Sequence, residues 1–185
     1  MTAAVALLRG INVGGRNLIA MSDLVTAFRE AGYPDATTYS QSGNVLFTIT
    51  NAGDHDVEQG IQQMLAARFG LPILVVVRSR DELADTVAAA PSGHGAAKLR
   101  SEVFFLKHPL TPEAVLRNLP ALREGVDSVA PGPGVIYFSR IAARGSKTRI
   151  TRLMAMPIFQ QMTVRSWSTT TRILERLDAE EPDQV

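Results

Sequence analysis

The chain has 185 residues, a formal net charge of +1, 45% hydrophobic and 20% charged residues, and no cysteine. Its length allows one large domain or two small ones, each with a real core. The composition excludes a disulfide scaffold, a thiolate metal site and a thiol nucleophile, and no apolar run is long enough to cross a bilayer. Met1–Gly10 has no basic leader region and Val5–Leu8 is too short for a signal core, so the expected location is the cytoplasm.

In chain order, Ala3–Leu8 reads as a first strand, followed by a glycine-containing loop, Arg9–Ala20. A helix then takes Ser22 as its N-cap, turns Leu24, Val25 and Phe28 to one face and stops at Gly32. Thr37–Gln41 and Val45–Thr50 form a hairpin about Ser42-Gly43-Asn44. A second helix over Asp54–Phe69 sets Val57, Ile61, Met64 and Leu65 at helical spacing. The β-branched run Ile73–Val77 is the fourth strand. Ser79-Arg80-Asp81-Glu82 is a capping box that opens a connecting helix to about Ala90, and Pro91–Ala97 is a small-residue linker.

The same order then returns. Val103–Leu106 is a strand, and Thr111 caps a short helix with Pro112 at its first position. Val126–Ala130 and Val135–Ser139 are strands flanking a Pro-Gly-Pro-Gly turn. Ser146 opens a basic helix that Pro157 ends or kinks. Thr163–Trp167 is the last strand and Thr169–Leu177 a closing helix. The pattern predicts an α+β fold of two tandem ferredoxin-like βαββαβ units, 1–78 and 101–178, the second including the closing helix. A connecting helix and linker span 79–100, and an acidic, disordered tail spans 179–185. Val5–Leu8 and Ile73–Val77 are apolar on both strand faces, so the helix-free face of at least the first sheet should be covered, by the other unit or the connecting helix.

This topology puts the loop after the first strand beside the hairpin. Arg9, Asn12, Gly14 and Gly15 then meet Gln41, Ser42, Gly43 and Asn44, with Arg16 close by. Exposed backbone N–H groups, guanidinium groups and amides suit a small phosphorylated or otherwise anionic ligand. The competing reading is that the glycines turn the chain and the amides satisfy loop backbone. Neither a P-loop nor a dinucleotide fingerprint is present. A second basic site is expected where the loop Arg140–Lys147 meets the end of the last strand, using Lys147, Arg149, Arg165, Trp167 and Thr169 with helix N-termini near Ser146 and Thr169. Trp167 there either covers a ligand or closes a core.

Three other functions stay open. No acidic residue lies between Asp127 and Glu175, whereas Arg140, Arg144, Lys147, Arg149, Arg152, Arg165 and Arg172 are basic, so nucleic acid is an alternative partner for 140–172. An RNA-recognition motif is not matched, although Phe104, Phe105, Tyr137 and Phe138 lie on central strands. An enzyme of unrecognised class is a third reading. His55, His94 and His108 are scattered, Ser42 is not in a nucleophile elbow, and no metal, cofactor or catalytic residue is assigned. A homodimer paired through exposed strands is the fourth.

Leu8-Arg9-Gly10-Ile11-Asn12-Val13-Gly14-Gly15, Thr38-Tyr39-Ser40-Gln41-Ser42-Gly43-Asn44-Val45 and Thr163-Val164-Arg165-Ser166-Trp167-Ser168-Thr169 together resemble the DUF1697 family, a mainly bacterial family of unknown function. The resemblance covers essentially the whole chain. It implies tandem ferredoxin-like units and carries over no catalytic residue. Ser166 and Ser168 stand where the family commonly has asparagine, which keeps hydrogen bonding but loses the paired donor and acceptor of an amide.

Overall fold

The computed structural model describes residues 1–50 and 54–180. The first strands and helices are β1 (Thr2–Leu8), α1 (Met21–Glu30), β2 (Thr37–Tyr39), β3 (Asn44–Ile49), α2 (Asp54–Phe69), β4 (Val75–Ser79) and α3 (Arg80–Ala88). Then come β5 (Leu99–Leu106), α4 (Pro112–Arg117), β6 (Asp127–Gly132), β7 (Val135–Ile141), α5 (Ile150–Met154), β8 (Met162–Ser166) and α6 (Trp167–Glu180). Two antiparallel four-stranded sheets result, ordered β2-β3-β1-β4 and β6-β7-β5-β8. Each is the split βαβ order of a ferredoxin-like unit. The chain divides into Met1–Leu83 with the segment from Ile173 onward, and Ala84–Arg172, so the boundaries fall inside α3 and α6.

In the first unit one face of the sheet, Ala4, Ala6, Leu8, Val45, Phe47, Val75 and Val77, shares a core with Leu24 and Phe28 of α1 and Val57, Ile61 and Leu65 of α2. The opposite face is buried as well: Val5, Leu7, Leu46 and Val76 have at most 1% exposure. Both faces are therefore dry, as the unbroken apolar runs require. The last turns of α6 belong to this unit. The Arg176 guanidinium lies 5.0 Å from the Tyr39 ring centroid, and Arg80 Nε donates to Asp178 Oδ1 at 2.8 Å.

The outer edge of β4 is closed by α2. Glu58 and Gln62, one helical turn apart, accept from the Val77 and Val75 N–H groups at 2.9 and 3.4 Å. Glu58 Oε1 also lies 3.5 Å from Arg78 Nη1, with both side chains almost fully buried. An edge strand whose donors are taken by a packed helix offers little to another strand.

The second unit packs Phe104, Leu106, Ile136, Phe138, Leu153, Phe159 and Met162 around Val115 of α4. Its helical layer is shorter. The basic helix expected from Ser146 does not form as one element. A 3-10 segment, Ala142–Lys147, precedes the five-residue α5, and a second 3-10 segment, Pro157–Gln161, follows it. Pro157 starts that last segment because a ring without an N–H fits only a first turn.

Other boundaries move for identifiable reasons. α1 starts at Met21, with extended Ala20 in the cap position and no side-chain cap, because Leu24 N–H already closes the first turn on the Ala20 carbonyl. Ser22 is therefore inside the helix. β4 begins two residues later than Ile73, whose N–H is held in a turn by the Leu71 carbonyl at 3.0 Å. β5 begins at Leu99, its polar first half being paired with β7. The capping box at α3 is present in both directions: Glu82 N–H donates to Ser79 Oγ at 3.2 Å and Ser79 N–H to Glu82 Oε2 at 2.8 Å. α6 includes Ala179 and Glu180, the first residues of the expected disordered tail, and 181–185 lie outside the described residues. Among the described residues no helix is long and apolar enough to cross a membrane.

Candidate functional site

The loop 9–20 and the β2–β3 hairpin do meet at one end of the first sheet. Gly43 is the seam. Its carbonyl accepts from Leu8 N–H at 2.8 Å, its φ is +72°, and a Cβ there would stand 2.8 Å from Ile11 Cδ1 and 2.9 Å from Leu8 Cβ. Only glycine combines that left-handed backbone with so close an approach. Asn12, itself at φ 54°, is the clamp. Its Nδ2 donates to the Ile19 and Gln41 carbonyls at 3.0 and 3.2 Å, and its Oδ1 accepts from Ile19 N–H at 2.9 Å. Asn44 is fully buried and donates to the Tyr39 carbonyl at 2.9 Å.

The eight expected residues thus divide by role. Asn12 and Gly43 join the loop to the hairpin and Asn44 braces the hairpin itself, while Gly14, Gly15, Gln41 and Ser42, with Arg16, are exposed on the joined edge. Arg9 is partly buried, and that loss of water pulls its guanidinium below the usual value. Exposed Val13 and Leu18 complete the tip of the loop.

In the second unit the loop after β7 and the end of β8 also share one end of their sheet, but the basic residues expected there are dispersed. Arg165 is buried, with Nη1 donating to Thr163 Oγ1 at 2.9 Å and to the Val164 carbonyl at 2.8 Å, and burial lowers its pKa to about 10. Arg149 donates through Nη1 to the Ala121 carbonyl, and its N–H to Asp127 Oδ2. Lys147 is exposed on the 3-10 segment. Thr169 N–H donates to Ser166 Oγ at 3.2 Å, so Ser166 caps α6. Of the five residues, Trp167 alone lines the cavity at this end, a cleft of about 410 Å³ bounded also by Gly95, Leu99, Arg100, Ser101, Glu102, Arg140, Ser166 and Ser168.

Beside it lies a network the sequence did not announce. Gly95 N–H donates to Ser101 Oγ (2.9 Å), Ser101 and Ser139 share a hydroxyl bond (2.8 Å), and Ser139 Oγ meets His94 Nδ1 at 2.9 Å. The ring of His94 stands edge-on to Trp167 and Tyr137, 4.8 and 5.3 Å between centroids, and burial pushes its pKa below the ordinary value. If each hydroxyl donates onward, Nδ1 accepts and the neutral ring carries its proton on the buried Nε2. Strand alternation places Ser101 and Ser139 on one face, but only the folded linker brings His94 to them.

Two ferredoxin-like units in one chain, with a long glycine loop clamped to a hairpin in the first, define a mixed α+β protein whose elaborated loops sit at sheet ends. The sequence model of the DUF1697 family, described as a protein of unknown function, matches residues 1–137, and the chain belongs to that family. The match contains the loop and hairpin motifs and stops within β7, before Ser166 and Ser168. The solved structure of conserved bacterial protein SP0830 from Streptococcus pneumoniae is similar, with a TM-score of 0.84 at 22% identity over 95% of this chain and 98% of that one. That likeness establishes a shared fold. No curated protein shows significant similarity to the chain.

Proposed function

We propose that this is a cytoplasmic protein that binds a small phosphorylated or otherwise anionic ligand where the loop 9–20 meets the β2–β3 hairpin. The supporting observation is the Asn12 clamp, which spans both segments and fixes the exposed edge before any ligand arrives. Preorganised loops lose less conformational entropy on binding than mobile ones. On this reading Arg9, Arg16, Gln41, Ser42 and the Gly14–Gly15 backbone contact the ligand, whereas Asn12, Gly43 and Asn44 hold them in place.

A ligand that binds only the folded protein raises its stability by about 2.7 kcal/mol at one hundred times its dissociation constant. Melting temperatures in millimolar phosphate-bearing metabolites should therefore rise, and Arg9→Ala or Arg16→Ala should remove the rise. Asn12→Ala should also remove it, while lowering stability by roughly 1–3 kcal/mol through lost hydrogen bonds. A broad panel that leaves the melting temperature unchanged would sink the proposal.

A further inference from the structure

The two sheets can be aligned residue for residue from their registers. Val77-Arg78-Ser79 of β4 and Val164-Arg165-Ser166 of β8 occupy the same places, each arginine opposite a valine, Val5 or Val103. The correspondence continues into the other strands: Phe47 opposes Ala4 in one sheet and Phe138 opposes Glu102 in the other. At the next place on that face the first sheet pairs Thr2 with Ile49, and the second pairs Arg100 with Arg140. Ala4 and Ile49 belong to the apolar core. The second sheet has put Glu102 and Arg140 in the place of core residues, and Arg100 in the place of the exposed Thr2.

Like charges directly opposite on neighbouring strands destabilise a sheet. Glu102 compensates in part, accepting from Arg140 Nη1 at 2.7 Å. Asp127, opposite Arg140 on its other side, is occupied by Thr148 Oγ1 and the Arg149 and Arg123 N–H groups. Arg100 is exposed and has no carboxylate within ion-pair distance among the described residues. The pair lines two cavities of about 410 Å³ each. One holds Gly95, Leu99 and Trp167 with the hydroxyls of Ser166 and Ser168; the other is bounded by the 142–150 segment, including Ser146 and Thr148. Both volumes fall within the usual range for small-molecule sites.

We propose that the Arg100–Arg140 pair is an anion seat in a second ligand site, distinct from the loop–hairpin edge, and that its ligand carries a phosphate beside a flat ring. Both arginines line this cleft, and a guanidinium fork matches the geometry of phosphate oxygens. Leu99, Gly95 and the indole of Trp167 form the apolar wall against which a ring can lie. Glu102 opposes the anion, holding Arg140 in place while limiting affinity.

Trp167 is the only tryptophan in the chain, so its fluorescence reports on this cleft alone. Adenosine 5′-monophosphate, adenosine and inorganic phosphate serve as probes. The monophosphate should change the Trp167 emission saturably, adenosine should bind at least tenfold more weakly, and phosphate should compete. Arg100→Ala should weaken monophosphate binding tenfold or more, and Glu102→Gln should tighten it several-fold. Arg9→Ala should leave it unchanged, which separates this site from the first. No emission change at millimolar monophosphate, equal binding of adenosine, or wild-type binding by Arg100→Ala would each overturn the proposal.

Discussion

The two units are built on one hydrogen-bonded frame and differ at opposite ends of it. Leu8 N–H bonds the Gly43 carbonyl and Arg9 N–H the Leu74 carbonyl; in the second unit Leu106 bonds Gly134 and Lys107 bonds Gln161 at the corresponding places. Beyond that shared end, the first unit adds the long loop 9–20, whereas the second passes directly from Lys107 to α4 through a few residues. At the other end the roles reverse. The first unit continues its apolar core to Ile49 beneath a sixteen-residue α2, while the second breaks its helical layer into three short pieces and sets exposed Arg100 opposite the half-buried Arg140. The comparison shows where a duplicated fold acquires differences: at sheet ends, where a changed loop or helix does not disturb the central pairing.

The contrast is tested most severely at the stitched edge of β4. Glu58→Ala should cost about 3–5 kcal/mol in denaturant unfolding, because it leaves a buried arginine with one fewer negative partner and the Val77 N–H without its acceptor. A cost under about 1 kcal/mol would mean that α2 holds the sheet by apolar packing alone.

The seam of the first unit comes next. Gly43→Ala should lose about 2–4 kcal/mol, combining a strained left-handed backbone with overpacking against Leu8 and Ile11. Thermal melts of the variant should show this, and a neutral outcome would refute the seam.

The smallest effect belongs to the second unit. The folded His94 has a lowered pKa, so as pH falls the unfolded chain takes the proton first. Stability should be full above the ordinary histidine value of about 6.5 and decline as pH drops through the lower folded value. His94→Phe should flatten that slope, and an unchanged slope would show that His94 is accessible to protons in the folded state. At the alkaline end Tyr137, pushed up to about 12 by burial and donating to the Thr86 carbonyl at 2.6 Å, works oppositely, favouring the folded state until pH rises past its ordinary value of about 10.

Local chemistry made much of this molecule legible. The hairpin glycine, the capping box at Ser79, Thr111 ahead of Pro112 and the apolar spacing of α2 each act over a few residues, so their signals survive in a linear reading. The basic stretch 140–172 is less legible for the converse reason. Its charges look continuous along the chain, but Arg165 turns inward, Arg149 binds backbone and Arg140 faces Glu102. Arg100 was hidden in what reads as the end of a linker, because strand β5 starts there through pairing with distant Ile141 and Arg140.

The sequence by itself determined the order of elements, the twofold βαββαβ plan and the meeting of the glycine loop with the hairpin, since these follow from periodicity, turn residues and connection rules. Tertiary structure decided which polar side chains are spent inside the molecule. Asn12 and Asn44 look equally suited to a ligand until their backbone partners are known, and two arginines forty residues apart become one feature only when strands bring them face to face. Hydrogen-bond capacity and charge belong to a residue, but whether they are already used depends on neighbours that the chain alone does not name.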